Sequence, residues 1–90
     1  MSDRPWRLIA ASSTRRDIRR LPEKYAAAVI ELLPIIAANP KRVGKPLRFE
    51  YEGRFSARRG PYRIIYSLDE ASRTVTVLAV GHRADIYRRR

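Results

Sequence analysis

Residues 53–82 read Gly-Arg-Phe-Ser-Ala-Arg-Arg-Gly-Pro-Tyr-Arg-Ile-Ile-Tyr-Ser-Leu-Asp-Glu-Ala-Ser-Arg-Thr-Val-Thr-Val-Leu-Ala-Val-Gly-His, and their reading decides the fold. Successive side chains of a strand point to opposite faces, so Arg54, Ser56 and Arg58 share one face while Phe55 and Ala57 take the other. Arg59, Gly60 and Pro61 supply a turn, and residues 62–68 form a second strand. Asp69 to Ser72 make the next turn, after which residues 74–80, rich in β-branched side chains, form a third strand. Three strands joined by short turns predict an antiparallel meander.

Upstream, Trp-Arg-Leu-Ile-Ala at 6–10 reads as a short strand with Trp6 and Leu8 on one face. Ser12, Ser13 and Thr14 offer hydroxyls to cap a helix over about 13–20, and Asp17 falls in an early turn where a carboxylate is favourable. Ile18 and Leu21 are its apolar contacts. Pro22 suits the first turn of a second helix over about 23–38, with Ala26, Val29, Ile30, Leu33, Ile36 and Ala37 as its buried stripe. Pro34 predicts a kink or local break, because its ring removes one hydrogen bond and crowds the preceding turn. Asn39 and Pro40 end the hairpin. Residues 41–53, with Gly44, Pro46 and Gly53, read as a connecting loop that Leu47 and Phe49 could pin to the core. The order strand, two-helix hairpin, three-stranded meander predicts a single α+β domain over 1–90, with the hairpin on one sheet face and the arginine-bearing face open.

Charge narrows the partners. The chain carries 20 Lys plus Arg against 9 Asp plus Glu, a net +11. Such a surface attracts polyanions across a Debye length of about 8–10 Å, so nucleic acid leads and an acidic protein follows. Residues 1–40 hold 7 basic and 4 acidic side chains, net +3, whereas residues 41–90 hold 13 and 5, net +8. The second half therefore supplies most of any binding face. With 0 Cys and 1 His, thiolate metal sites, cysteine nucleophiles and histidine-rich zinc sites fall away. No cofactor and no metal are expected. The start, Met-Ser-Asp-Arg-Pro-Trp, has no long apolar run, and nothing approaches the roughly 18 apolar residues of a membrane span. The cytoplasm is the expected location, with no membrane partner.

Arg54, Arg58 and Arg63 fall on adjacent predicted strands and Arg83 follows the last. Guanidinium groups on one concave face can hold phosphate bidentately and stabilise the extra charge on a pentacoordinate phosphorus. The same residues could equally be solvated arginines. Arg63 stands out because it interrupts an otherwise apolar and aromatic strand. Tyr87 could stack on a base, bond a phosphate, or anchor the C-terminus. Tyr62 and Tyr66 read as packing residues. His82 has the pKa range of an acid or base, but alternation points it away from Arg83. Glu50 and Glu52 could serve as a base or pair with arginines. The run Arg88 to Arg90 reads as a phosphate-contacting tail or a solvated end.

Taken together, the Gly-Lys-Pro-Leu of residues 44–47, the hairpin of residues 53–66 and the Gly-His-Arg-Ala-Asp-Ile-Tyr-Arg of residues 81–88 resemble the RelE branch of the RelE/ParE toxin superfamily. The Arg-Arg-Asp-Ile-Arg-Arg-Leu-Pro junction at 15–22 extends the resemblance over nearly the whole chain. The resemblance implies a RelE-like fold and a toxin of a type II toxin-antitoxin system. Its activity would be metal-independent endonucleolytic cleavage of messenger RNA in the ribosomal A site, with the 2′-hydroxyl as nucleophile. The implied partners are a cognate antitoxin, ribosome-bound mRNA and ribosomal RNA. By position, Arg63 resembles the arginine at the scissile phosphate, Arg83 the one that stabilises the transition state, and Tyr87 the tyrosine that orients or stacks on the RNA. Arg54, Arg58, Lys45 and Arg88 would bind RNA. Where the best-known member has a lysine proposed as general base, this chain has Ser56. Either Lys45, Glu50, Glu52 or His82 takes that proton, or the rate rests on positioning and charge stabilisation. A ParE-like inhibitor of DNA gyrase, without enzymatic activity, is the competing reading, and a toxin that only binds is a third.

Overall fold

The computed structural model describes residues 5–86. Strand β1 (Arg7–Ala10) leads into helices α1 (Ser12–Arg19), α2 (Glu23–Ala38) and α3 (Pro40–Val43), then β2 (Lys45–Pro46) and a 3-10 turn at Phe49–Tyr51. Strands β3 (Arg54–Arg59), β4 (Tyr62–Asp69) and β5 (Thr74–His82) complete the order. The five strands form one sheet in the order β1-β5-β4-β3-β2. The meander is antiparallel as its turns require, and β1 lies parallel to β5 at the opposite edge from β2. This is the expected α+β arrangement with one addition: the stretch read as a loop contains α3 and a fifth strand.

Two residues, Gly60 and Pro61, join the cross-strand pair Arg59 and Tyr62. Gly60 takes a φ of 58°, the left-handed value that a two-residue hairpin turn needs at its first central position. Proline, with φ fixed near −65°, suits the second. Between β4 and β5 the register shifts after Ile65, so that Ala79 opposes Ile65 and Val77 opposes Tyr66. Leu78 is the extra residue. The bulge keeps Ile64, Tyr66, Val77 and Val80 on the helical side, where they join Val29, Leu32, Ile36, Ala57 and Val75 in the core.

Several local expectations change in the folded chain. Helix α1 starts after Ala11 with no side-chain cap. Thr14 instead donates its hydroxyl to the Val77 carbonyl at 2.9 Å, and both groups are buried. Asp17, also buried, accepts the Val80 N–H at 3.2 Å rather than complementing the helix dipole. Parallel pairing of β1 with β5 ends at Val77; there Thr14 adds a second donor to the carbonyl that already accepts the Ala11 N–H at 3.3 Å, and Asp17 takes up the Val80 N–H beyond the last pair. Helix α2 runs unbroken through Pro34. The proline is exposed, where water can serve the carbonyl it leaves free, while Val29, Leu32 and Ile36 bury the opposite face. Ile30, expected in the buried stripe, is 54% exposed. Helix α2 ends at Ala38 with Asn39 as its C-cap, as expected, and Pro40 opens α3 directly after it. Phe49, proposed to pin the loop, is 88% exposed.

Candidate nucleic-acid interface

Side chains directly opposite in an antiparallel pair share a face, so the β3–β4 register builds the site. Arg58 faces Arg63, Ser56 faces Ile65 and Arg54 faces Ser67. All of these lie on the side away from the core residues Ala57, Ile64 and Tyr66. On β2, Lys45 pairs with Ser56, which adds an amine beside the two guanidinium groups. Leu47 N–H bonds the Arg54 carbonyl at 2.8 Å, continuing the ladder past β2. The result is a groove of about 330 Å³ lined by Val43, Lys45, Leu47, Ser56, Arg58 and Arg63.

Like charges placed directly opposite on a sheet destabilise it, and Arg58 with Arg63 is such a pair. Arg63 also buries its Nε without a hydrogen-bond partner. On the other side of Arg63 the cross-strand residue is Gly81, which leaves its flank free of side chain. An electropositive groove with two directly opposed guanidinium groups is matched to a phosphate, which supplies acceptors to their reachable N–H groups and cancels the repulsion.

The groove is held from beneath by Tyr66, which is fully buried on the helical face. Its hydroxyl donates to the Pro40 carbonyl at 2.5 Å and accepts the Gly44 N–H. Burial pushes the Tyr66 phenol above the ordinary tyrosine range, and the Gly44 bond partly offsets that rise. Gly44 is required by close approach: a methyl there would collide with the Tyr66 phenol and stand 3.1 Å from the Ser56 carbonyl. Tyr66 thus ties the α3–β2 junction to the sheet and sets where Lys45 stands.

The remaining site candidates lie around this groove or away from it. Arg83 is exposed and donates its backbone N–H to the Pro61 carbonyl at 2.8 Å, which places it at the Arg58–Arg63 end of the sheet, beyond the groove lining. The chain then turns back, with Asp85 and Ile86 N–H groups on the His82 carbonyl, both at 2.9 Å, and Ile86 becomes buried. Arg54 is exposed on the same face as Arg58 but four residues away, roughly 13 Å along the strand. His82 stands on the other face, edge-on to Tyr62 with ring centroids 5.6 Å apart, and its Nδ1 accepts the Ala84 N–H at 3.1 Å. Glu52 is exposed in the turn before β3. Tyr87 and Arg88 lie outside the described residues. Among the described residues, no three His, Asp or Glu side chains come together as a metal site. Nor is any described helix long and apolar enough to cross a membrane.

Val43, Leu47 and the pairing of Lys45 with Ser56 were hidden in the sequence. A strand of two residues is too short to show alternation; the one usable signal was Pro46, whose missing N–H suits an edge strand.

A family model described as the ParE toxin of the type II toxin-antitoxin system parDE matches residues 7–87, which defines the class of this scaffold. Among individual proteins, Toxin RelG of Mycobacterium tuberculosis is 49% identical over 86 residues, spanning 94% of this chain and 99% of that toxin. Toxin RelE of the same organism is 42% identical over 88 residues, spanning 96% and 90%. The crystal structure of the toxin-antitoxin complex RelBE2 from that organism matches at a TM-score of 0.82 and 45% identity, covering 88% of this chain and 99% of the other. The chain belongs to the RelE/ParE toxin superfamily, on its RelE branch.

Proposed function

We propose that this protein is the toxin of a type II toxin-antitoxin pair and acts in the cytoplasm as an endoribonuclease on mRNA in the ribosomal A site. The observation that carries the reading is the directly opposed Arg58–Arg63 pair, with Lys45 and Ser56 beside it, lining one groove of about 330 Å³. In this reading Arg63 and Arg58 hold the scissile phosphate. The 2′-oxygen attacks phosphorus, the bond to the 5′-oxygen breaks, and a cyclic phosphate and a 5′-hydroxyl result. The guanidinium groups stabilise the negative charge that builds on the phosphoryl oxygens. Arg83, at the rim, and Tyr87 complete the catalytic set, while Lys45, Arg54 and Arg88 bind the flanking RNA or ribosomal RNA. All of this chemistry is supplied by side chains without metal or cofactor.

A cognate antitoxin is the second partner. RelBE2, at 45% identity, is a toxin-antitoxin complex, and a net charge of +11 suits an acidic covering segment.

The test is 5′-end mapping of ribosome-bound mRNA after brief addition of purified protein to a translating extract. Discrete A-site cuts that vanish with Arg83→Ala support the reading. Intact mRNA with correctly folded wild-type protein overturns it. Gyrase inhibition would then be measured next, since the matching family model carries the ParE name.

A further inference from the structure

We propose that the outward face of helix α1 is a second phosphate-binding surface, built for base-paired RNA and separate from the Arg58–Arg63 groove. The proposal rests on the reading of this chain as a toxin that acts on the ribosome, and it names a further surface for the structured RNA of that partner.

Helix α1 spans Ser12–Arg19, with Arg20 as its C-cap. Three of its side chains point inward: Thr14 and Asp17 are buried on β5, and Ile18 packs against the core cluster. At 3.6 residues per turn the rest fill an outward arc of roughly 160°. That arc holds Ser12, Ser13, Arg15, Arg16, Arg19 and Arg20, all exposed. Arg15 with Arg19, and Arg16 with Arg20, are like-charge pairs four residues apart, a spacing that weakens a helix. The carboxylate within the helix, Asp17, is turned into the sheet to accept the Val80 N–H. The outward face therefore presents four guanidinium groups and no acid.

Composition selects the ligand. Arginine and serine donate hydrogen bonds to phosphate oxygens and 2′-hydroxyls. No aromatic or large apolar side chain lies on the arc, so an unpaired base has nothing on which to stack. For the same reason the face lacks the apolar centre that holds a protein partner. A duplex, with its bases stacked inside and its phosphates outside, needs neither.

Position separates this surface from the groove. The groove residues lie on the sheet face away from the core, toward the β3–β2 edge. Helix α1 lies on the core side over β5, the neighbour of edge strand β1. The two cationic surfaces look in opposite directions, so a short single strand in the groove does not reach α1. A folded RNA that encloses the protein engages both.

The test compares wild type with the double variant Arg16→Gln, Arg19→Gln, which removes the centre of the arc, and with Arg42→Gln, Arg48→Gln, which removes equal charge from exposed positions elsewhere. Glutamine and arginine have similar helix propensities, and the thermal midpoint is followed in all three proteins. With a blunt-ended duplex RNA as probe, the α1 variant should bind about tenfold more weakly, and its log–log salt slope should be flatter by about 2. The control variant should flatten that slope by less than about 1. A 2′-O-methyl single strand, held by the groove, should distinguish the two variants little. Cleavage of ribosome-bound mRNA by the α1 variant should be reduced at limiting protein and restored at saturating protein.

Equal loss of duplex binding in the two variants overturns the proposal, since bulk charge then suffices. Undiminished duplex binding by a folded α1 variant also overturns it, and weakened binding of an acidic protein in that case would reassign the face. Duplex binding that depends on α1, with no A-site cuts by wild type, would keep the surface and remove the ribonuclease reading.

Discussion

Arg63 occupies a position that is unfavourable for folding and useful for an anion. It opposes Arg58 across the hairpin and buries an unmet Nε–H. Replacing it with alanine removes a donor from the transition state and should cut the cleavage rate by about 10²–10³-fold. The same change relieves like-charge repulsion, so the thermal midpoint should be no lower than wild type. A large loss of both activity and stability would place Arg63 in the scaffold instead. At this scale the sequence was informative for one reason: a charge inside an otherwise apolar strand is visible in one dimension. The partner that makes it a site, Arg58, is five residues away along the chain and becomes its neighbour only through the Gly60-Pro61 turn.

Between residue and domain stands the short β2 strand, whose placement comes from the core. Tyr66→Phe removes the group that bonds both Pro40 and Gly44. It should cost about 1–3 kcal/mol, with a midpoint some 4–8 °C lower per kcal/mol by calorimetry. The pH dependence has a definite sign. Burial raises the Tyr66 phenol in the fold, so the unfolded chain ionises first. The stabilisation is full below the ordinary tyrosine value of about 10 and is lost as pH climbs through the folded-state value. Chemical denaturation above about pH 10 should therefore show a steeper alkaline loss for wild type than for Tyr66→Phe. Gly44→Ala should destabilise by about 1–3 kcal/mol through overpacking against the same phenol. It should also reduce cleavage more than RNA binding, because β2 and Lys45 shift together. Elements were legible where they are long: the hairpin turns and the three meander strands follow from alternation and turn chemistry. Helix α2 was legible in extent but not in face, since Ile30, Leu32, Leu33, Ile35 and Ile36 offer more apolar positions than one side can bury.

For the whole molecule, the net charge of +11 acts through the salt dependence of binding. If the groove's three cations, Lys45, Arg58 and Arg63, each neutralise a phosphate of a single strand, the log–log salt slope should be about −2. A fourfold rise in salt should then weaken binding of a 2′-O-methyl RNA, which cannot be cleaved, by about 20-fold. Arg58→Ala should flatten the slope by about 0.7. A salt-independent affinity would mean the groove does not hold the backbone.

What the sequence determined alone is local or compositional: the meander, the hairpin turn at Gly60, the helical hairpin, the basic second half and the family. Tertiary structure alone decided three things. It turned Thr14 and Asp17 from helix-capping candidates into partners of β5, because parallel pairing with β1 ends at Val77. It set Lys45 opposite Ser56 through a strand too short to carry a pattern. It also seated His82 edge-on against Tyr62. Periodicity reports which side of its own element a residue takes. Which elements meet, and in what register, depends on backbone groups that must find partners once water is excluded.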